Sequence, residues 1–309
     1  MLNKIYYKIS CSFFLARLSV NLISMGTIVG AASSSKGIKL TATIVLIQAL
    51  GCITSLCLFK GFKRLNNNLL LYKLTTLGIT FLTILISFLK INTASWFMVF
   101  FLKFSLLNLL LAFLNAEIPN ISERSNIAKL NQKIQSLGVI ALITGWSMGP
   151  LIAQRYDLNA LFILDSIISI LFTVILFTRK KDFQSLGIKE NQNIENQKLD
   201  FSFKKFFIII FSTWCVCGVF HVAEVPYLKE VINSSAEEVS LLFFLAAISN
   251  FLSMRFLKHE ILNKNVKNLL FLSATLLILL SGIYFSLTSI ISIYVLIIVF
   301  GIFNGIFTL

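Results

Sequence analysis

The chain has 309 residues, of which 57% are hydrophobic and 13% charged, and its formal net charge is +14. Soluble domains carry about 25% charged residues, and no soluble interior hides this much apolar surface; a water-soluble enzyme and a disordered chain are both excluded. What remains is an all-α, polytopic membrane protein, whose basic excess reports orientation in the membrane rather than a nucleic-acid partner.

A spanning helix needs about 20 mostly apolar residues. Ten segments of that kind follow one another, at roughly 10–32, 39–59, 69–89, 94–115, 134–154, 159–178, 205–224, 237–255, 268–288 and 290–309. Runs such as Leu269 to Leu280 are solidly apolar, which fits helices and not the alternation of a membrane strand. The first segment follows Lys4 and Lys8 and shows no small-residue cleavage end before Lys36, so it reads as an uncleaved span.

With the amino terminus in the cytoplasm, the inside segments hold 20 Lys and Arg residues and the outside segments 5, while Arg17 and Lys103 fall within spans. That asymmetry sets the predicted topology. Residues 179–204 form the one long hydrophilic stretch, rich in Asn and Gln, and read as a cytoplasmic linker. The expected organisation is a six-helix half over 1–178, the linker over 179–204, and a four-helix carboxy-terminal half over 205–309. A weak internal repeat agrees: Arg64 and Lys264 correspond at an offset of 200, as do Asn68-Leu69-Leu70 and Asn268-Leu269-Leu270. The cysteines Cys11, Cys52, Cys57, Cys215 and Cys217 lie in apolar runs without metal-type spacing and read as buried spacers, so no metal site is expected.

The fifth segment contains Gly145, Gly149 and Pro150, followed by Ala153 and Gln154. The glycine pair lets two backbones approach closely, and the proline removes one helical hydrogen bond. Before it stand Ile118, Pro119, Glu123, Arg124, Ala128 and Asn131; after the seventh segment stand Val225 and Pro226, then Ser235 to Val239. With the two-half layout, these features make the chain resemble the major facilitator superfamily, and within it the enterobactin-exporter and macrolide-efflux branch. The fifth-segment element is similar to G-x-x-x-G-P-x-x-G-G, with Ala153 and Gln154 in place of the last two glycines. The loop after the second segment departs further. Of the family's G-x-x-x-D-R-x-G-R-R only Arg64 matches, Lys63 stands where the acid would be, and Asn66, Asn67 and Asn68 replace the remaining glycine and arginines.

The resemblance implies a secondary transporter working by alternating access in a bacterial inner membrane. Proton-coupled efflux of a small amphipathic molecule is the expected activity. The lipid bilayer, a small-molecule substrate and the proton are the expected partners, and no cofactor is implied. Gly145, Gly149 and Pro150 would form a hinge or seal, and Arg64 would belong to a cytoplasmic gating loop. Ten segments against the family's twelve imply a chain lacking the last two helices. Two alternatives stay open: uptake of a nutrient or siderophore, and a truncated, non-transporting membrane protein or receptor. An integral membrane enzyme is not expected, since no polar catalytic cluster stands at a helix end.

Charges inside spans each need an explanation, because one at mid-bilayer costs roughly 2.5–3.5 kcal/mol on insertion scales. Lys103 is expected either to face the central cavity, binding an anionic group or a proton-carrying acid, or to pair structurally with another helix. Arg17 either snorkels to the headgroups or acts on substrate. His221 and Glu224, three residues apart, share a helix face and form a candidate coupling site. Asn304 is an uncharged cavity candidate. Asp165 is read as a structural partner, because family geometry places the sixth helix at the periphery.

Overall fold

The computed structural model describes residues 2–33, 37–62, 68–91, 93–121, 127–177, 201–256 and 259–308. Among the described residues ten α-helices and no strands occur: α1 (Leu2–Ala32), α2 (Gly37–Phe62), α3 (Asn68–Phe88), α4 (Ala94–Ile121), α5 (Ile127–Arg155), α6 (Leu158–Phe177), α7 (Phe201–Glu230), α8 (Ala236–Phe256), α9 (His259–Tyr284) and α10 (Ile290–Thr308). Eight of them, all but α7 and α9, are long and apolar enough among the described residues to cross a membrane.

Several helices run past the apolar segments that announced them. α1 begins at Leu2, α5 at Ile127 and α9 at His259, and α7 extends from Phe201 to Glu230. A helix satisfies its backbone internally whether lipid or water surrounds it, so hydropathy marks the membrane and not the helix end. The linker expected to reach residue 204 therefore gives way to α7 at Phe201, and α4 continues through the expected loop to Ile121. α9 stops at Tyr284, short of the expected 288. Residues 178–200, most of that linker, and Arg64 of the expected gating loop lie outside the described residues.

Side chains fix the helix starts. Ser235 and Glu238 form a reciprocal capping box at α8, with the Ser235 amide donating to Glu238 Oε2 at 2.7 Å and the Glu238 amide donating to Ser235 Oγ at 3.2 Å. Asp157 Oδ1 accepts the Ala160 amide at 2.7 Å at the start of α6, and Thr93 Oγ1 accepts the Trp96 amide at 3.3 Å at the start of α4. After α7 the chain turns through Asn233, whose φ of 58° is the left-handed conformation that asparagine tolerates.

The helices group into two compact units, Met1–Ile188 and Lys189–Leu309. In the first, α1 packs against α5, α6, α2 and α4, while α3 packs on α4 and α6. In the second, α10 packs against α8 and α9, and α7 against α9. Hydroxyls join α3 to α6: Thr80 Oγ1 and Thr173 Oγ1 are 2.9 Å apart, and Thr80 donates to the Ser169 carbonyl at 3.3 Å. Tyr72 of α3 donates to the Phe113 carbonyl of α4 at 2.8 Å.

Glycines set the closest approach in each unit. A Cβ on Gly149 would stand 2.4 Å from the Leu22 carbonyl oxygen, and one on Gly145 would stand 2.7 Å from the Leu22 amide nitrogen, so this pair is the contact surface of α5 for α1. In the second unit, a Cβ on Gly301 or Gly305 of α10 would lie 2.6 Å from the Ala246 carbonyl or 2.5 Å from the Asn250 carbonyl of α8. Small residues four apart replace hydrophobic side chains at such contacts because lipid removes the usual driving force for burying apolar bulk.

The reading of the cysteines as buried spacers is corrected: Cys11, Cys52, Cys57 and Cys215 are free and exposed on the protein surface. Apolar residues also lie on that surface, including Leu46, Ile53, Leu56, Phe81 and Phe88. In a membrane protein an apolar neighbourhood in sequence does not imply burial within the protein, since helix faces turned to lipid are equally apolar.

The α1–α5 contact yields a prediction. Gly149→Ala, forced against a backbone oxygen, is expected to lose roughly 1–3 kcal/mol of stability, as overpacked interiors do. Gly282→Ala, where nothing lies within 4 Å of the added carbon, is expected to leave thermal unfolding in detergent unchanged or raise its midpoint slightly. Equal midpoints for the two variants would contradict the packing account.

Candidate functional site

Three helices of the first unit converge on one carboxylate. Lys103 lies nine residues into α4, which at ~1.5 Å per residue is about 14 Å along the helix and near the middle of the Ala94–Ala116 span. Asp165 sits seven residues into α6, and Ser19 lies near the middle of the Tyr7–Ala32 span of α1. The Lys103 ammonium donates to Asp165 Oδ2. Ser19 Oγ donates to Asp165 Oδ1 at 2.5 Å. Lys103 is 1% exposed, and Asp165 and Ser19 are 0% exposed. Each carboxylate oxygen thus has its own donor, one charged and one neutral, in a setting that excludes water.

Aromatic rings enclose the pair. The Lys103 ammonium lies 5.5 Å from the centroid of Phe162, which stands one turn before Asp165 on α6. Phe162 in turn meets Trp96 and Phe100 edge-on at 6.0 and 6.5 Å. Trp96 stacks on Phe100 at 5.1 Å, and Phe100 stacks on Phe104 at 6.1 Å. The Lys103 ammonium is enclosed within the unit and pairs with a carboxylate on another helix. Asp165 is that partner. Ser19 had no sequence signal, because serine hydroxyls in helices commonly bond to their own backbone, as Ser105 does to Phe101.

Arg17 is placed differently. It is half-buried on α1, with its guanidinium 5.5 Å from the centroid of Phe13, one turn earlier. Two turns further along α1, Ser24 Oγ donates to Gln48 Oε1 of α2 at 2.9 Å.

In the second unit Glu224 of α7 is 1% exposed. It lies within electrostatic reach of Tyr284 of α9, a fully buried ring whose hydroxyl makes no hydrogen bond of ordinary geometry among the described residues. Phe220, Tyr227, Phe285 and Phe300 surround Tyr284 or one another, with Phe220–Tyr284 at 4.8 Å and Phe220–Phe300 at 5.2 Å. Tyr227 donates its hydroxyl to the Leu287 carbonyl. His221 lies in α7, but its side chain is outside the described residues, so its expected pairing with Glu224 is too. Asn304 is half-buried on α10, adjoining the Gly301–Gly305 contact with α8. At the end of α7, burial holds the Lys229 ammonium below the ordinary lysine range, with Glu237 and Glu238 partly offsetting that effect. Among the described residues no group of three or more His, Cys, Asp or Glu stands ready to hold a metal ion.

No family model matches the chain, and no curated protein matches it. Solved structures do. A D-xylose–proton symporter aligns with a TM-score of 0.67 at 12% identity, covering 98% of this chain and 80% of that one. The xylose transporter XylE from E. coli, in a partially occluded, inward-open conformation, aligns with a TM-score of 0.61 at 14% identity, covering 99% of this chain and 82% of that one. The fold is the major-facilitator-like helical bundle that the sequence suggested.

The buried pair makes its own prediction. Removing one partner strands a charge in a dry interior, which costs about 3–5 kcal/mol, whereas replacing both by apolar residues of similar volume is often neutral. Lys103→Met and Asp165→Leu are each expected to lower folded yield and melting midpoint in detergent. The double variant is expected to recover both toward the parent protein. Additive losses would show that the two side chains do not depend on each other.

Proposed function

We propose that the protein is a proton-coupled secondary transporter that exports a small amphipathic molecule by alternating access, with Asp165 as the proton-carrying group and Lys103 as its charge partner. The observation that carries this reading is the Lys103–Asp165–Ser19 network at mid-span in a chain with a major-facilitator-like fold. A fully buried ion pair is a poor way to stabilise a helical bundle, and ionisable groups within spans most often serve ion or proton pathways.

The proposed mechanism follows from the contacts. With Asp165 ionised, its two oxygens tie α4 and α1 to α6 through Lys103 and Ser19. A proton taken up by the carboxylate cancels the charge that holds Lys103 and weakens the tie between α4 and α6. Because both groups are enclosed, the proton reaches Asp165 only when unit 1 rearranges. Protonation and conformation are then linked, and that linkage is the requirement for coupling substrate movement to a proton gradient. Export as the direction rests on the resemblance of the Gly145, Gly149 and Pro150 element to that of exporters. Gly145 and Gly149 of α5 pack against α1 within one unit, so a role for this element in gating is proposed to act through the α1–α5 crossing. A second reading, substrate uptake by symport, is favoured by the structural likeness to a D-xylose–proton symporter.

Reconstituted into liposomes with entrapped pyranine, the parent protein is expected to move protons when members of a panel of amphipathic compounds are added. The folded Lys103→Met/Asp165→Leu double variant is expected to show less than about a tenth of that flux, a loss of at least 1.4 kcal/mol in the coupled step. Proton flux opposite to compound movement supports export, and flux in the same direction supports uptake. Undiminished proton flux in the double variant would exclude the pair from coupling.

A further inference from the structure

The two cations within spans have unlike surroundings. Lys103 is neutralised by Asp165, whereas Arg17 has, among the described residues, a ring face and a thiol but no carboxylate. Arginine stays protonated under all ordinary conditions and cannot discharge itself as a lysine can. Inside a span such a charge calls for an anion.

The side chains around Arg17 are polar and under-used. Ser10, Arg17, Asn21 and Ser24 follow at spacings of seven, four and three residues, which place them along one face of α1. The Asn21 side chain is 8% exposed, and its amide makes no hydrogen bond to the described residues. Ser10 Oγ is buried and likewise without a hydrogen-bond partner among the described residues. On α2, Gln48 joins the stripe through Ser24, and Cys52 one turn further lies within electrostatic reach of Arg17. Cys52 is exposed and Arg17 half-exposed, so the stripe opens to the surface of the protein at this point.

We infer that the Arg17–Asn21 stripe on α1 is an anion-binding site, and that the transported molecule carries a carboxylate or phosphate group that docks there. The guanidinium fork matches either group with two parallel hydrogen bonds, and the Asn21 amide one turn away offers a further donor. Phe13, fully buried beneath the guanidinium, backs it from inside the protein. A lipid headgroup is the less suitable source of the anion. Arg17 lies about seven residues inside the apolar segment that begins near residue 10, roughly 10 Å along the helix, so a phosphodiester would have to leave the interface to reach it. The role assigned to the anion as substrate rests on the transporter reading; the site itself does not.

The test uses a variant in which Cys11, Cys57, Cys215 and Cys217 are serine and Cys52 remains, reconstituted in phosphatidylcholine liposomes. Its labelling by an anionic and by a cationic methanethiosulfonate is timed. Cys52 is expected to react with both, and the anionic-to-cationic rate ratio is expected to fall at least about fivefold in Arg17→Gln but not in Arg17→Lys, as removal of one nearby charge requires. Sodium benzoate is expected to slow labelling, benzamide is not, and Asn21→Leu is expected to weaken the benzoate effect while preserving the rate ratio. An unreactive Cys52 would place the stripe against lipid and overturn the inference. So would a rate ratio indifferent to Arg17→Gln in a monodisperse variant, absence of protection by benzoate, or equal protection by benzamide. Pyranine flux is independent of this labelling, so loss of the transport reading would leave the anion site standing, and the reverse holds too.

Discussion

One carboxylate organises the first unit. Asp165 accepts from Lys103 on one oxygen and from Ser19 on the other, which draws α4, α1 and α6 to a common point in the middle of their spans. The constraint is strict because, among the described residues, no other charged side chain pairs with either group. Trp96, Phe100, Phe104 and Phe162 exclude water, and both ionised groups are enclosed. A packing error of an ångström that an apolar contact would absorb leaves a buried charge exposed to hydrocarbon. The close crossing of α1 and α5 at Gly145 and Gly149 lies on the same helix that presents Ser19. The position of that serine is therefore set by a backbone contact that tolerates no side chain.

Lys103 and Arg17 differ in what surrounds them. A pair that can be neutralised by a single proton suits a coupling element. A permanent charge with no acid beside it among the described residues, on a face with under-used polar groups, suits a ligand. The two lie close in the span of α1, since Arg17 and Ser19 are two residues apart and point in different directions around the helix. On the proposed reading, occupancy of one and protonation of the other would be registered by the same short length of α1, which is the arrangement a linked transport cycle needs.

Much of the fold was legible in the sequence because membrane helices advertise themselves by length and hydropathy. The ten apolar segments each correspond to one helix. Helix ends were less legible, since α7 and α9 carry their hydrogen bonds into polar stretches that composition assigns to loops. Lys103 stood out because any charge in a span does. Asp165 stood out for the same reason, but the pairing did not, since Lys103 and Asp165 are separated by 62 residues and meet only because α4 and α6 both pack on α1 and α3. Gly301 and Gly305 of α10 had the same four-residue spacing as Gly145 and Gly149, and their contact with α8 is the kind that spacing encodes. The burial of cysteines was misread for a general reason: apolar sequence predicts lipid contact as readily as protein contact.

Asp165 is proposed to change its protonation state inside the membrane. Infrared difference spectroscopy of the reconstituted protein during a pH titration reads this directly, through the carbonyl stretch of a protonated carboxyl group. The expected result is a band that grows as pH falls, is absent in Asp165→Asn, and shifts in Lys103→Met. A spectrum of Asp165→Asn identical to that of the parent protein across the titration would contradict it.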